Sequence, residues 1–209
     1  MKRIAAILVL QAFLFSNMAL AITPAVKEFV AGNRANFSTA AHPKSNGVNM
    51  VLSYPNTWLA MEGERPHIVQ KFVSDGGKGL EMATIVANTL PVPAGTVISE
   101  NELREIFMPA EIKGMMPSGA TFIDAKSTSI EGLPAGILEY SVRQDRAGIP
   151  INARFISYVF IYGTTMVQLQ CSVSTGQLAP LAVLARKMDD FKPLFSLIAN
   201  SIVLQDRWK

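Results

Sequence analysis

The stretch from Ile149 to Tyr162 limits what this chain can become more than any other part of it. Its odd positions, Ile149, Ile151, Ala153, Phe155, Val159 and Ile161, are apolar. Its even positions open polar, with Asn152 and Arg154, and then turn to Ile156, Tyr158, Phe160 and Tyr162. Successive side chains of a strand point to opposite faces, so the pattern predicts a long strand that is apolar on both sides and covered on both. Helices on either side of a sheet would supply that cover. The alternative is a partner or ligand groove lined by Tyr158 and Tyr162, a use to which aromatic rings with polar tips are well suited.

The flanking segments place this strand in a series. Phe122 to Ile130 and Ala135 to Arg143 precede it, Asp145-Arg146-Ala147-Gly148 turns the chain into it, and Gly163 turns it out again into Thr164 to Val173. Four strands joined by short turns form an antiparallel meander. Nearer the N-terminus, Val48, Met50, Leu52 and Tyr54 alternate with Asn49, Val51 and Ser53 until Tyr54-Pro55-Asn56 ends the run. His67 to Val73 and Leu80 to Leu90 follow, parted by Asp75-Gly76-Gly77-Lys78-Gly79. These three strands read as a second antiparallel meander, with Asn36 to Asn46 a polar loop and Glu62 to Arg65 a charged connection.

Helices fill the remainder. Pro24 to Gly32 has proline in its first turn and glycine at its end. Ser99-Glu100-Asn101-Glu102 fits a capping box, opening a helix that Pro109 interrupts after about Met108. Leu181, Leu184, Met188, Phe191, Phe195, Ile198 and Ile202 recur at three and four residues, the spacing of one helix face. Pro193 within that stripe predicts two helices or one kinked helix. The fold class expected is α+β, an antiparallel sheet flanked by helices in an α/β/α sandwich.

Residues 1–21 read as a cleavable signal peptide. Lys2 and Arg3 form a basic start, Ile4 to Phe15 an apolar core, and Ala19-Leu20-Ala21 a small-residue cleavage site. The working chain, a single domain of residues 22–209, would then begin at Ile22 and act in the periplasm or outside the cell. The run is too polar at Gln11, Ser16 and Asn17 for a bilayer span, so no transmembrane segment is expected after cleavage. Without Lys2 and Arg3 the excess of 19 basic over 16 acidic residues nearly vanishes. The rest of the Lys and Arg are scattered, which argues against nucleic acid as a partner. Cys171 is the one cysteine, so no internal disulfide can form. It shares the apolar face of Val167 to Val173 and reads as a buried core thiol.

Few residue patterns here carry chemistry. His42 and His67 are the two histidines, and neither pairs with the other or with Cys171 at zinc-site spacing. Asp189-Asp190 lacks a calcium loop around it. There is no G-x-S-x-G or S-x-x-K motif for a nucleophilic serine. Gly76-Gly77-Lys78-Gly79 leads into a strand where a phosphate loop requires a helix, so it reads as a hairpin turn. Asn36-Phe37-Ser38 matches the glycosylation sequon, which matters only in a glycosylating host. No metal or cofactor is expected.

Gly47 to Tyr54 with Pro55 and Trp58, then Arg65-Pro66 and Ile68-Val69-Gln70-Lys71-Phe72, resembles the N-terminal half of exported PsbP/DcrB-like proteins. Phe191-Lys192-Pro193-Leu194-Phe195 and Ile198 to Ile202 are similar to that superfamily's terminal helix. The resemblance spans most of residues 45–203 and implies an α/β/α sandwich acting as an accessory or scaffolding module for membrane or multiprotein assemblies. It carries over no functional residues, and this chain departs from the lipoprotein members in having no cysteine at the cleavage site.

The function expected is therefore an exported, non-catalytic binding or assembly module with a protein or membrane-associated partner. Trp58, Glu62, Arg65 and His67 are its candidate binding residues, since Trp and Arg are enriched among interface anchors. The opposing reading makes Trp58 a core plug and the rest a solvated surface. A small hydrophobic-ligand or lipid carrier is the second function, suggested by ten methionines and the two-sided strand. A hydrolase with a dispersed active site is the third.

Overall fold

A computed structural model describes residues 22–93, 95–146, 148–176 and 178–208, so the signal-peptide reading lies outside the described residues. The elements run α1 (Pro24–Val30), β1 (Arg34–Ser38), β2 (Met50–Pro55), β3 (Leu59–Glu62), β4 (Ile68–Val73), α2 (Ser74–Gly77) and β5 (Met82–Thr89). They continue with α3 (Glu100–Ile106), α4 (Pro109–Gly114), β6 (Thr121–Ile130), β7 (Leu133–Arg146), β8 (Ile149–Tyr162), β9 (Thr165–Ser174), α5 (Leu181–Asn200) and β10 (Val203–Leu204). The result is an α+β fold, antiparallel sheets flanked by helices.

Seven strands form the main sheet in the order β3-β4-β5-β9-β8-β7-β6, every adjacent pair antiparallel. Hairpins make every connection in it except the long one that carries α3 and α4 from β5 to β6. The expected four-strand meander is β6 to β9. On β8 the even residues Ile156, Tyr158 and Phe160 join one buried cluster, with Leu184, Met188, Leu194 and Phe195 of α5. The odd residues Ala153, Phe155, Val159 and Ile161 join another, with Leu103, Phe107 and Ile112 of α3 and α4. The two-sided strand is thus covered by helices on both faces. Tyr158 is core, not the wall of an open groove: it is buried and its hydroxyl meets Ser196 Oγ at 3.0 Å.

Several expectations need correction. Asn36 to Asn46 is only partly loop, because its first residues belong to β1, which pairs with β2. Exposed Asn36 and Ser38 alternate there with half-buried Ala35 and Phe37, and a strand of five residues with one side in water has too few apolar positions to show. β2 does not open the meander with β4 and β5. It lies in a separate sheet, β1-β2-β10, and β3, hidden in a charged segment, takes the edge place beside β4. The helix opened at Ser99 does end before Pro109, at Ile106, and what was not expected is that Pro109 starts a further short helix, α4, where its missing N–H is harmless.

α5 is a single continuous helix with Pro193 inside it. Proline there removes one intrahelical donor, and its exposed position leaves the orphaned carbonyl near water. The expected capping box is present, with Ser99 Oγ accepting from Glu102 N and the Glu102 carboxylate accepting from Ser99 N. The glycine-rich turn is α2, a tight reversal in which Asp75, Gly76 and Gly77 all take positive φ. The small sheet closes over the α5 side of β4: Phe37 and Tyr54 place their rings 5.6 and 4.4 Å from that of Phe72.

Candidate functional site

The four candidate binding residues do not form one constellation. Trp58 is 4 % exposed and belongs to the larger core cluster. Glu62 closes β3, and Arg65 and His67 lie in the turn before β4. Four residues of strand separate Trp58 from Glu62 by about 13 Å. The three polar residues do share one hairpin. Lys44, from a one-turn helix at Pro43–Ser45, donates to Glu62 Oε1 at 3.0 Å and to the Gly63 carbonyl at 2.5 Å. That hydrogen bond, and then the lysine's charge, hold the Glu62 carboxyl below the usual range. Gly63 sits so close to Ile68 that a Cβ would lie 2.1 Å from its carbonyl oxygen. The His67 carbonyl accepts from Ala87 N at 2.9 Å, tying the turn to β5.

A more extensive surface lies on the α3/α4 face of the sheet. Those helices pack on β6 and β7. Beyond them the same face carries two rungs across five strands. One runs Leu59, Val73, Met82, Ser172, Phe155; the next runs Met61, Lys71, Thr84, Gln170, Ser157. A cleft of about 410 Å³ lies along them, with Met61, Lys71, Met82, Phe155, Ser172 and Ser174 among its walls. Leu59 and Met61 remain 46 % and 39 % exposed at its outer rim. A smaller recess of about 120 Å³ adjoins Tyr140, Ser157, Gln168 and Gln170.

The polar groups of this face are only partly matched. Gln170 Nε2 donates to the Tyr140 hydroxyl at 2.6 Å, and Tyr140 stacks on Phe155 with ring centroids 5.1 Å apart. Ser157 Oγ is buried with no partner in hydrogen-bonding geometry, although the Tyr140 hydroxyl is near enough to interact with it. Burial raises the Tyr140 pKa against the influence of Ser157 and Gln170, the wrong direction for a general base. Lys71 is held by Glu64 at 3.0 Å. Methionines, hydroxyls and amides arranged this way suit the holding of a partner more than the transfer of protons.

No local pattern announces this face, because its members come from five strands. Gln168, Gln170 and Ser172 were visible as the polar side of β9, but their neighbours are set by register alone.

The opposite face carries buried charge that clamps α5 down. Glu139 accepts from Arg154 Nε at 2.7 Å and pairs with Lys192 at 2.9 Å. Glu81 pairs with Lys187 and accepts from Ser74 Oγ at 2.6 Å, while Lys187 also donates to the Ser174 carbonyl at 2.9 Å. Cys171 belongs to the larger core cluster, fully buried, and burial pushes its thiol pKa well up. Among the described residues no three His, Cys, Asp or Glu side chains gather as a metal-binding group. Among the same residues no helix is long and apolar enough to cross a membrane.

No protein-family model and no curated protein matches the sequence. A solved structure from Bacteroides thetaiotaomicron VPI-5482 is similar at a TM-score of 0.41 and 12 % identity, over 77 % of this chain. The chain spans 46 % of the length of that protein. A likeness this loose assigns neither a fold family nor a function.

Proposed function

We propose that this chain is an exported accessory module that works by binding, presenting the outer end of its main sheet to a protein or membrane-associated partner. The observation that carries the reading is the rung face itself. Exposed Leu59 and Met61 border a cleft of about 410 Å³ whose walls mix methionine, serine hydroxyls and the charges of Glu64, Lys71 and Lys78, and the amides of Gln168 and Gln170 line the smaller recess beside it. Adaptable methionine beside hydrogen-bonding groups is the composition of a binding surface. The hairpin bearing Glu62, Arg65 and His67 lies at the end of the same two strands and extends the surface with charge. The resemblance to PsbP/DcrB-like proteins supports the reading from a separate direction, since it implies assistance to an assembly. So does the leader pattern of residues 1–21, which implies export.

Site-directed photocrosslinking in the producing cell tests it. A photoreactive residue at Met61 should give a discrete adduct, and one at exposed Val183, on α5 across the sheet, should not. Equal yields at Met61 and Val183, or no adduct at either, would overturn the proposal. N-terminal sequencing of exported protein should begin at Ile22; an intact Met1 would remove the export half of the reading.

A further inference from the structure

Beside the cleft of the rung face, the recess of about 120 Å³ gathers polar groups that the fold leaves half-used. Leu138 and Tyr140 of β7, Ser157 and Val159 of β8 and Gln168 and Gln170 of β9 line it, and no lining residue is charged. Ser157 is 2 % exposed and shares its face of β8 with Phe155 and Val159. Its Oγ has no hydrogen-bond partner among the described residues, since the nearby Tyr140 hydroxyl is not aligned with it. Gln168 gives its Nε2–H to the Met166 sulfur at 3.9 Å, a weak acceptor. Gln170 Nε2 is committed to the Tyr140 hydroxyl at 2.6 Å, which leaves the Gln170 carbonyl oxygen to accept.

A buried hydroxyl without a partner destabilises the fold, so a bound group that completes it gains more than an ordinary surface contact would. The recess also selects the chemistry of that group. With no cation or carboxylate in the wall, an ionised group would be buried uncompensated, so the occupant is neutral. It has to accept from Ser157 and Gln168 and donate to Gln170, which a primary carboxamide does with one carbonyl and one NH2. The volume is well below the roughly 300–1,000 Å³ of sites for free small molecules, and suits the end of one side chain.

We infer that this recess receives the carboxamide of an Asn or Gln side chain from a protein partner seated on the rung face, its carbonyl oxygen on Ser157 and Gln168 and its N–H on Gln170. The inference rests on the partner reading of that face and narrows it from a protein or membrane-associated surface to a protein.

Propionamide, the isolated end of a glutamine side chain, tests the recess without the partner. Titrated into the full exported chain and followed by amide chemical shifts, it should perturb Ser157, Gln168 and Gln170 saturably. Propionate and propan-1-ol should each be at least about tenfold weaker at those signals. Ser157→Ala should weaken propionamide by about three- to tenfold, the worth of one hydrogen bond, and should raise the urea midpoint by removing an unpaired buried hydroxyl. Gln168→Leu is the second variant and should weaken it likewise while leaving Gln170 on Tyr140. In the producing cell, Ser157→Ala should reduce the adduct formed from Met61. An equal response to the acid or the alcohol, binding unchanged in both variants, or a urea midpoint lowered by Ser157→Ala, as when an ordered water already completes the hydroxyl, overturns the inference. Failure of propionamide with the Met61 adduct intact removes the carboxamide alone. Saturable propionamide binding with no Met61 adduct removes the partner reading instead, and with it the source of the carboxamide.

Discussion

The hydroxyls of Tyr158 and Ser196 meet at 3.0 Å where β8 passes beneath α5. That contact explains how a tyrosine in the middle of an apolar strand can be buried: its polar tip finds a partner on the helix that covers it. Burial in turn pushes the Tyr158 pKa strongly up, with the neighbouring Cys171 and Glu139 acting in the same direction. Tyr158→Phe should leave Ser196 without this contact and lower stability by about 1 kcal/mol, measured by urea unfolding. A Tyr158 that tolerated charged substitution would show that α5 does not seat as described.

Trp58 and its hairpin neighbours should separate cleanly. Trp58→Ala removes a buried indole and should cost about 3–5 kcal/mol. Arg65→Ala and His67→Ala should each change stability by under about 0.5 kcal/mol, as surface substitutions do. Thermal unfolding of the three variants checks the contrast, and photocrosslinking then asks whether the two surface residues contribute to a partner.

Glu139 should behave as a buried charge whose loss strands its partners. Glu139→Ala leaves Arg154 without its bidentate acceptor and should cost about 3–5 kcal/mol. The double variant Glu139→Leu with Arg154→Met should recover most of that, since it removes both charges. A double variant as unstable as the single one would mean that packing, and not the unpaired cation, sets the loss.

Glu81 ties stability to pH. Burial alone would raise its pKa, but the hydrogen bonds from Lys187 and Ser74 and the charge of Lys187 outweigh this and lower it. A carboxyl whose folded pKa is depressed stabilises the fold above its unfolded pKa, and that stability is lost as pH falls through the folded value. Urea midpoints should therefore be flat near neutrality and fall below the ordinary carboxyl value of 4.5. The fall should be shallower for Glu81→Gln, which starts from a lower midpoint at pH 7.

Cys171 should be inert in the folded protein. Its thiol is fully buried with a raised pKa, so little reactive thiolate exists. A thiol reagent at pH 8 should label it only at the rate of global opening and at once in denaturant. Rapid labelling without denaturant would place the thiol at the surface.

Features that depend on near neighbours in the chain are legible before folding. The alternation of β6 to β9, the capping box at Ser99, the turn at Asp75 to Gly79 and the apolar stripe of α5 are all local, and each is where its residues place it. Even the double cover of β8 was legible, because a strand apolar on both faces cannot lie open to water. Features set by register, and by which element lands beside which, emerge with the assembled sheets. β1 and β3 are short and half exposed, so their few apolar positions do not announce a strand. β10 has two residues and exists only because β2 lies beside it. The rung from Met61 through Lys71, Thr84 and Gln170 to Ser157 gathers five strands. A binding surface is made by adjacency across the sheet, and adjacency is settled by long-range pairing that no local pattern encodes.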